Sequence, residues 1–187
     1  RALRTNSSQT IACSPRLMLR SQLPPLLSAI ERTARDAGFT LILTAAEETI
    51  EGQQKTMRFL ASRGIDGLIF AGAIKHDPAL MQGLKGLNIP VMFLDRDPVE
   101  GIDAAIVAHA HATEAAVEHL HSLGHQKIAL LTIPSQVLPG RDRIAGFKKA
   151  MRARKLKVRP EWLSENCVDD RTTFQHASYL LSMEDRP

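Results

Sequence analysis

The side chains able to do chemistry in this sequence are few, and their spacing does not suit catalysis. His109 and His111 stand two residues apart. Two imidazoles can bind a metal once a third ligand approaches, but at a helix start positions two apart do not share a face. No cysteine or carboxylate has companion spacing, so no metal centre is expected. His119, His121 and His125 flank a helix end and its turn, where the helix dipole favours an imidazolium, which is a structural use. Cys13 and Cys167 lie in apolar stretches and read as packing residues rather than thiolates. Ser14 follows a strand but lacks the glycine-flanked elbow of a nucleophilic serine. The run Asp95-Arg96-Asp97-Pro98 has two readings: a group that orients a ligand hydroxyl, and a self-satisfied turn before proline.

Phosphate chemistry lacks its parts as well. A dinucleotide fingerprint needs glycines between the first strand and helix, and that loop reads SPRLMLRSQ. There is no Walker A loop, so cofactor-dependent dehydrogenases and P-loop NTPases are not expected, and no cofactor is called for. Between Arg141 and Arg159 stand nine basic residues against the single acid Asp142. Such a run can bind phosphates. With Phe147 alone interleaving it and no groove-reading motif, it reads as the solvated face of one helix and its exit loop.

The elements that must position these residues alternate along the chain. Apolar or β-branched runs at 10–14, 40–45, 67–71, 90–94, 104–108 and 127–132 predict strands, with a further strand over 162–168. Helices are predicted from Ser21 or Gln22 to Gly38 (with Pro24 and Pro25 in the first turn), 48–63, 77–85, 111–123, 140–154 and 171–183. In the second of these Ile50, Met57, Phe59 and Leu60 are expected to face inward. Strands apolar on both faces and separated by helices mark a parallel, doubly covered sheet, so the fold class is α/β. Open sheets of this kind bind ligands outside the carboxyl ends of their strands. Those ends hold Ser14 to Gln22, Ala71-Gly72, Asp95-Arg96, His109 with His111, Pro134 to Arg143, and Val168 to Asp170.

Composition sets the outer limits. The chain has 187 residues, 44% apolar and 24% charged, with a formal charge of +4, which excludes disordered and collagen-like classes. No stretch approaches the roughly 18 apolar residues of a membrane span. Arg1 to Gln9 is basic and polar with no apolar core of a secretory signal. Two cysteines make no disulfide scaffold and fit a reducing compartment, so a cytoplasmic location is expected.

Several segments in combination carry a resemblance. TIACS, DAGFTLIL, GIDGLIFAG, IPVMFLDR, EAAVEHLHSLGHQKIALL and RDRIAGFKKAM resemble the effector-binding core of the lactose-repressor and galactose-repressor (LacI/GalR) family of transcription regulators. The similarity runs from about Ala2 to Pro187. It implies a two-lobed core like that of periplasmic solute-binding proteins, with parallel sheets covered by helices on both faces. Residues 1–9 would be a post-hinge leader, 10–108 the N-terminal lobe, and 109–187 an incomplete C-terminal lobe. It also implies a small polar effector, a homodimer, and operator DNA read by a headpiece that this chain lacks. An enzyme and a membrane protein are not implied; the rival is a stand-alone solute-binding protein of a transport system.

The resemblance also assigns candidate effector contacts. Arg143 matches the arginine with which family members grip the effector, and its guanidinium fork suits hydroxyls or a carboxylate. The positions of a familiar Asn-Pro-Phe-Phe-like run here read Arg20-Ser21-Gln22-Leu23, so that aromatic platform is gone. Ala108-His109 replaces an Asp-Asn pair, and Val168 stands where an aromatic is common. With the strand ends, the candidates are Ser14, Arg20, Gln22, Asp95, His109, His111, Arg143 and Val168. Clamps are kept and stacking positions are lost, so an effector other than a common hexose is expected.

Overall fold

The computed structural model describes residues 7–15, 23–44, 49–71 and 77–187, which fall into two compact units, one ending at Ile106 and the other formed by Val107–Pro187. The first unit runs β1 (Thr10–Ser14), α1 (Leu23–Asp36), β2 (Thr40–Leu43), α2 (Ile50–Ser62), β3 (Gly67–Phe70), α3 (Pro78–Lys85), β4 (Val91–Leu94) and β5 (Asp103–Ala105). The expected opening of α1 at Ser21 or Gln22 lies outside the described residues. All five strands are parallel in the order β2-β1-β3-β4-β5. The chain therefore winds outward from β1 to β2 and returns to β3 on the other side, placing a topological switch point beside β1.

Local chemistry sets the helix ends. Thr49 caps α2 by accepting from the Gly52 amide, and Asp77 caps α3 by accepting from the amides of Ala79 and Leu80, with Pro78 in the first turn. Gly38 follows α1 at φ 82°, a left-handed turn that glycine adopts without a Cβ penalty. The core of the unit is Ala12, Met57, Leu60, Ile65, Leu68, Phe70, Leu80, Leu84 and Phe93. At the amino edge of the sheet the Asp66 carboxylate accepts from the Ser7 hydroxyl at 2.9 Å, the Thr10 amide at 3.1 Å, and the Ser8 hydroxyl and amide at 3.3 Å.

Two expectations for this unit are corrected. Phe59 is 49% exposed, with the Arg63 guanidinium 4.9 Å from its ring centroid, while Gln53 takes the buried place on α2. The stripe of that helix is Gln53, Met57 and Leu60, spaced by four and three, and Phe59 falls outside it. The fifth strand covers Asp103–Ala105 instead of 104–108, and Ile106 and Val107 are exposed. Its register (Met92 with Asp103, Leu94 with Ala105) is limited by β4, which ends at Leu94.

The second unit runs α4 (His109–Ser122), β6 (Leu130–Leu131), α5 (Leu138–Ala153), a 3₁₀ turn (Pro160–Trp162), β7 (Leu163–Ser164) and α6 (Asp170–Ser182). β6 and β7 pair in parallel, Leu130 with Leu163 and Leu131 with Ser164. Val117, Ile128, Phe147, Ala150 and Met151 form its core, and Trp162 is buried. The helices α4 and α5 cross closely: a Cβ on Gly146 would lie 2.2 Å from the Ala110 carbonyl oxygen. Ion pairs from Lys149 to Glu114 and from Arg154 to Glu118 join the same two helices. A capping box at Asp169 and Thr172 opens α6.

Three expectations are corrected here as well. The predicted strand over 127–132 contracts to Leu130–Leu131. Pro160 starts a 3₁₀ turn that buries Trp162, so the strand expected over 162–168 is reduced to Leu163–Ser164; Cys167 and Val168 lie in the following loop. α4 begins at His109, not His111, which makes His109 a buried helix residue. The basic run is mostly exposed, in keeping with a solvated face, and besides Lys149 and Arg154, Arg159 pairs with Asp185 and stacks on Trp162 at 4.7 Å. No helix among the described residues is long and apolar enough to cross a membrane.

Candidate functional site

In both units the helices follow parallel strands, so the carboxyl ends of the strands are where loops and polar side chains collect. In the first unit Ser14 closes β1, buried, and its carbonyl accepts from the Ala71 amide at 3.1 Å. Asp95 follows β4 with φ 55°, and its amide donates to the Ala105 carbonyl at 2.8 Å. A left-handed non-glycine residue at a strand end is a conformation its surroundings must enforce. Beside it Arg96 is buried, with its guanidinium carbon 4.9 Å from the ring centroids of both Phe70 and Phe93. Stacking on two rings compensates part of the cost of removing that cation from water. Arg20 and Gln22 lie outside the described residues.

In the second unit His109 is buried, its amide bonded to the Val107 carbonyl and its own carbonyl accepting from the Thr113 hydroxyl. His111 is exposed on the same helix and Val168 is 38% exposed in the loop before α6. Arg143 is half-buried in the second turn of α5. It lies three residues after Gly140, whose added Cβ would be 2.2 Å from the Pro134 carbonyl oxygen and 2.5 Å from that of Ile133. The start of α5 therefore presses directly on the loop that leaves β6.

That loop is fixed from a third side. Glu165, just after β7, accepts from the Ser135 hydroxyl at 2.5 Å and the Ser135 amide at 3.2 Å. The Thr132 amide donates to the Ser164 carbonyl, and the Cys167 amide to the Thr132 carbonyl. Sequence reasoning missed Glu165, as its partner is thirty residues away. It also missed the stacked burial of Arg96, since no local spacing announces two rings from different strands.

The site has little reactive chemistry. Burial pushes the Cys13 thiol up to about 11, so it is a packing residue. Among the described residues no group of three His, Cys, Asp or Glu side chains could hold a metal ion. The arrangement places hydrogen-bonding groups at strand ends.

Parallel α/β units that gather polar groups at their strand ends define a class of small-molecule-binding proteins. Residues 24–187 match the family described as periplasmic binding proteins and sugar binding domain of the LacI family, and the chain belongs to that family. It is 28% identical over 192 residues to the HTH-type transcriptional repressor PurR of Photobacterium profundum, covering 100% of this chain and 56% of the relative. The PurR of Proteus mirabilis is 26% identical over 194 residues. The chain thus spans about half the length of the curated relatives it matches. Among solved structures, the lac repressor dimer bound to operator and the anti-inducer ONPF superposes with a TM-score of 0.78 at 26% identity, covering 96% of this chain and 62% of that one. A Burkholderia thailandensis repressor named for a ribose operon superposes with a TM-score of 0.83 at 25% identity, over 96% of this chain and 66% of that one.

Proposed function

We propose that this chain is the effector-binding core of a ligand-responsive transcriptional repressor. The observation that carries the reading is the match of all 187 residues to helix-turn-helix repressors, together with the family match over 24–187. In this reading a small polar metabolite binds at the carboxyl ends of the strands. Ser14, Asp95 and Arg143 supply hydrogen bonds there, while Arg20, Gln22, His111 and Val168 border the ligand. His109, a buried helix residue, shapes the wall more than it contacts the ligand. The effector shifts the population between two arrangements of the core. Operator DNA is read by a headpiece elsewhere in the full protein, which acts as a cytoplasmic homodimer without catalysis. The family description also covers periplasmic binding proteins, which keeps a transport role as the second reading; the repressor relatives favour regulation.

The experiment is calorimetric titration of the full-length protein with pentoses, disaccharides, sugar phosphates and nucleobases, wild type against Arg143→Lys. Lysine keeps the charge and removes the planar fork. Loss of a charge-assisted hydrogen bond costs roughly 1.5–3 kcal/mol, about ten- to hundredfold in affinity. Equal affinity in the variant returns Arg143 to an ordinary helix arginine. Failure of every compound class to bind overturns the effector reading.

A further inference from the structure

We infer that Glu165 is a positioning residue: its carboxylate clamps the loop at 133–137 and thereby fixes the start of α5 and Arg143. The inference rests on the effector reading for the purpose of the clamp, and on geometry alone for its existence. One oxygen of Glu165 receives both the hydroxyl proton of Ser135 at 2.5 Å and its amide proton at 3.2 Å. A carboxylate that takes two donors from one residue fixes the backbone as well as the side chain, and charge-assisted bonds of this kind are about twice as strong as neutral ones.

The clamped loop has little freedom on its other side. Gly140 packs so closely on the carbonyls of Ile133 and Pro134 that even a methyl group has no room. The Val137 amide closes a turn back to the Pro134 carbonyl at 3.3 Å. Residues 140, 143, 144 and 147 lie along one side of α5, and Gly140, Ile144 and Phe147 are buried. Arg143 borders that buried side about 4.5 Å along the axis from the Gly140 contact. Any rotation or slide of the loop would therefore pass directly into the turn that carries Arg143. Glu165 comes from the end of β7, so it also ties the loop after one strand to the loop after its neighbour.

The test needs no effector. It uses the full-length protein and its Glu165→Ala, Glu165→Gln and Ser135→Ala variants. Two readouts are taken: amide hydrogen exchange at Ser135, and the rate at which phenylglyoxal modifies Arg143 relative to Arg152, an exposed arginine on the same helix. In Glu165→Ala the Ser135 amide is expected to exchange about tenfold faster or more, as a lost hydrogen bond of this kind implies. The Arg143-to-Arg152 ratio should change several-fold. Ser135→Ala removes the shorter bond from the other partner and should move the ratio in the same direction. Glu165→Gln keeps an acceptor oxygen but loses the charge, so both readouts should fall between those of wild type and Glu165→Ala. A merely structural loss of stability would speed amide exchange throughout the second unit, including its core at Val117 and Met151, whereas loss of the clamp speeds it at Ser135 and leaves that core protected. An unchanged ratio in both alanine variants overturns the proposal, as does Glu165→Gln behaving like Glu165→Ala. If the clamp behaves as stated and no compound class binds in the titrations above, the effector reading fails and the clamp stands.

Discussion

Replacing Gly146 by alanine should destabilise the second unit, although alanine is the better helix former. A Cβ at this position would sit 2.2 Å from the Ala110 carbonyl oxygen and 2.9 Å from that residue's carbonyl carbon and Cα. Ordinary contacts between heavy atoms fall near 3.5–4.0 Å, so α4 and α5 must separate by roughly 1 Å or more at the crossing. The obstacle is helix backbone, which cannot step aside as a side chain can. Separation loosens Val117 against Phe147, Ala150 and Met151, the centre of that core. Overpacking costs about 1–3 kcal/mol, and the gain in helix propensity returns about 1 kcal/mol. Taking the upper end of that cost, as rigid backbone demands, leaves a net loss of about 2 kcal/mol, or roughly 8–16 °C in Tm for a unit of this size. Trp162 is the single tryptophan and is buried in this unit, so its fluorescence during urea or thermal unfolding reads the effect directly. The matched control is Gly83→Ala on α3, where the nearest atom to a new Cβ is the Met57 Cε at 3.3 Å, a flexible end that can yield. That variant should be neutral or stabilised by up to about 1 kcal/mol. A Gly146→Ala chain whose Trp162 transition falls at or above wild type would refute the reasoning.

Other outcomes follow from the same contacts. Desolvation pushes the Asp66 carboxyl up, but hydrogen bonds from Ser7, Thr10, Ser8 and Gln9 outweigh it and hold its pKa below the ordinary value. Its contribution is therefore present above the unfolded pKa and lost as pH falls through the lower folded one; acid titrations of wild type and Asp66→Asn should differ near neutrality and converge below about pH 4. Leu60→Ala should cost about 2–5 kcal/mol in chemical denaturation, and Phe59→Ala no more than about 1 kcal/mol, since Leu60 is buried and Phe59 half-exposed. In the folded chain a thiol reagent at neutral pH should label Cys167, and Cys13 only after unfolding; prompt labelling of both would contradict the burial of Cys13.

Much of the fold was legible because helix ends are local chemistry. Asp77-Pro78 announces the start of α3, and Gly38 and Gly64 stop α1 and α2 at the residues expected. Strand lengths were not legible in the same way, because a strand is as long as its partner allows. The apolar run 104–108 looked like five strand residues, yet β4 stops at Leu94 where Asp95 turns left-handed, so the ladder ends at Ala105. β7 is short for the same reason: β6 offers Leu130 and Leu131, and Ile133-Pro134 then leaves the sheet. Phe59 shows the reverse error, in which an aromatic type outweighed a helical spacing that already pointed at Gln53.

The candidate site divides along the same line. Ser14 and Asp95 could be proposed because the switch-point rule needs strand ends and nothing else. Arg143 was carried by resemblance, since a helix-start arginine has no local signature that separates a ligand grip from a solvated cation. What holds Arg143 in place was invisible, because it depends on Glu165 meeting Ser135 across thirty residues and on Gly140 having no side chain. Both are properties of packing. A glycine chosen for lack of a Cβ and a glutamate chosen for one acceptor oxygen look, in a sequence, like any others. The residues that touch a ligand can be proposed from type and position, whereas those that fix its geometry emerge once distant backbones are brought within 3 Å. For this chain the clearest measure of that difference is whether Glu165→Ala disturbs Arg143 more than Glu165→Gln does.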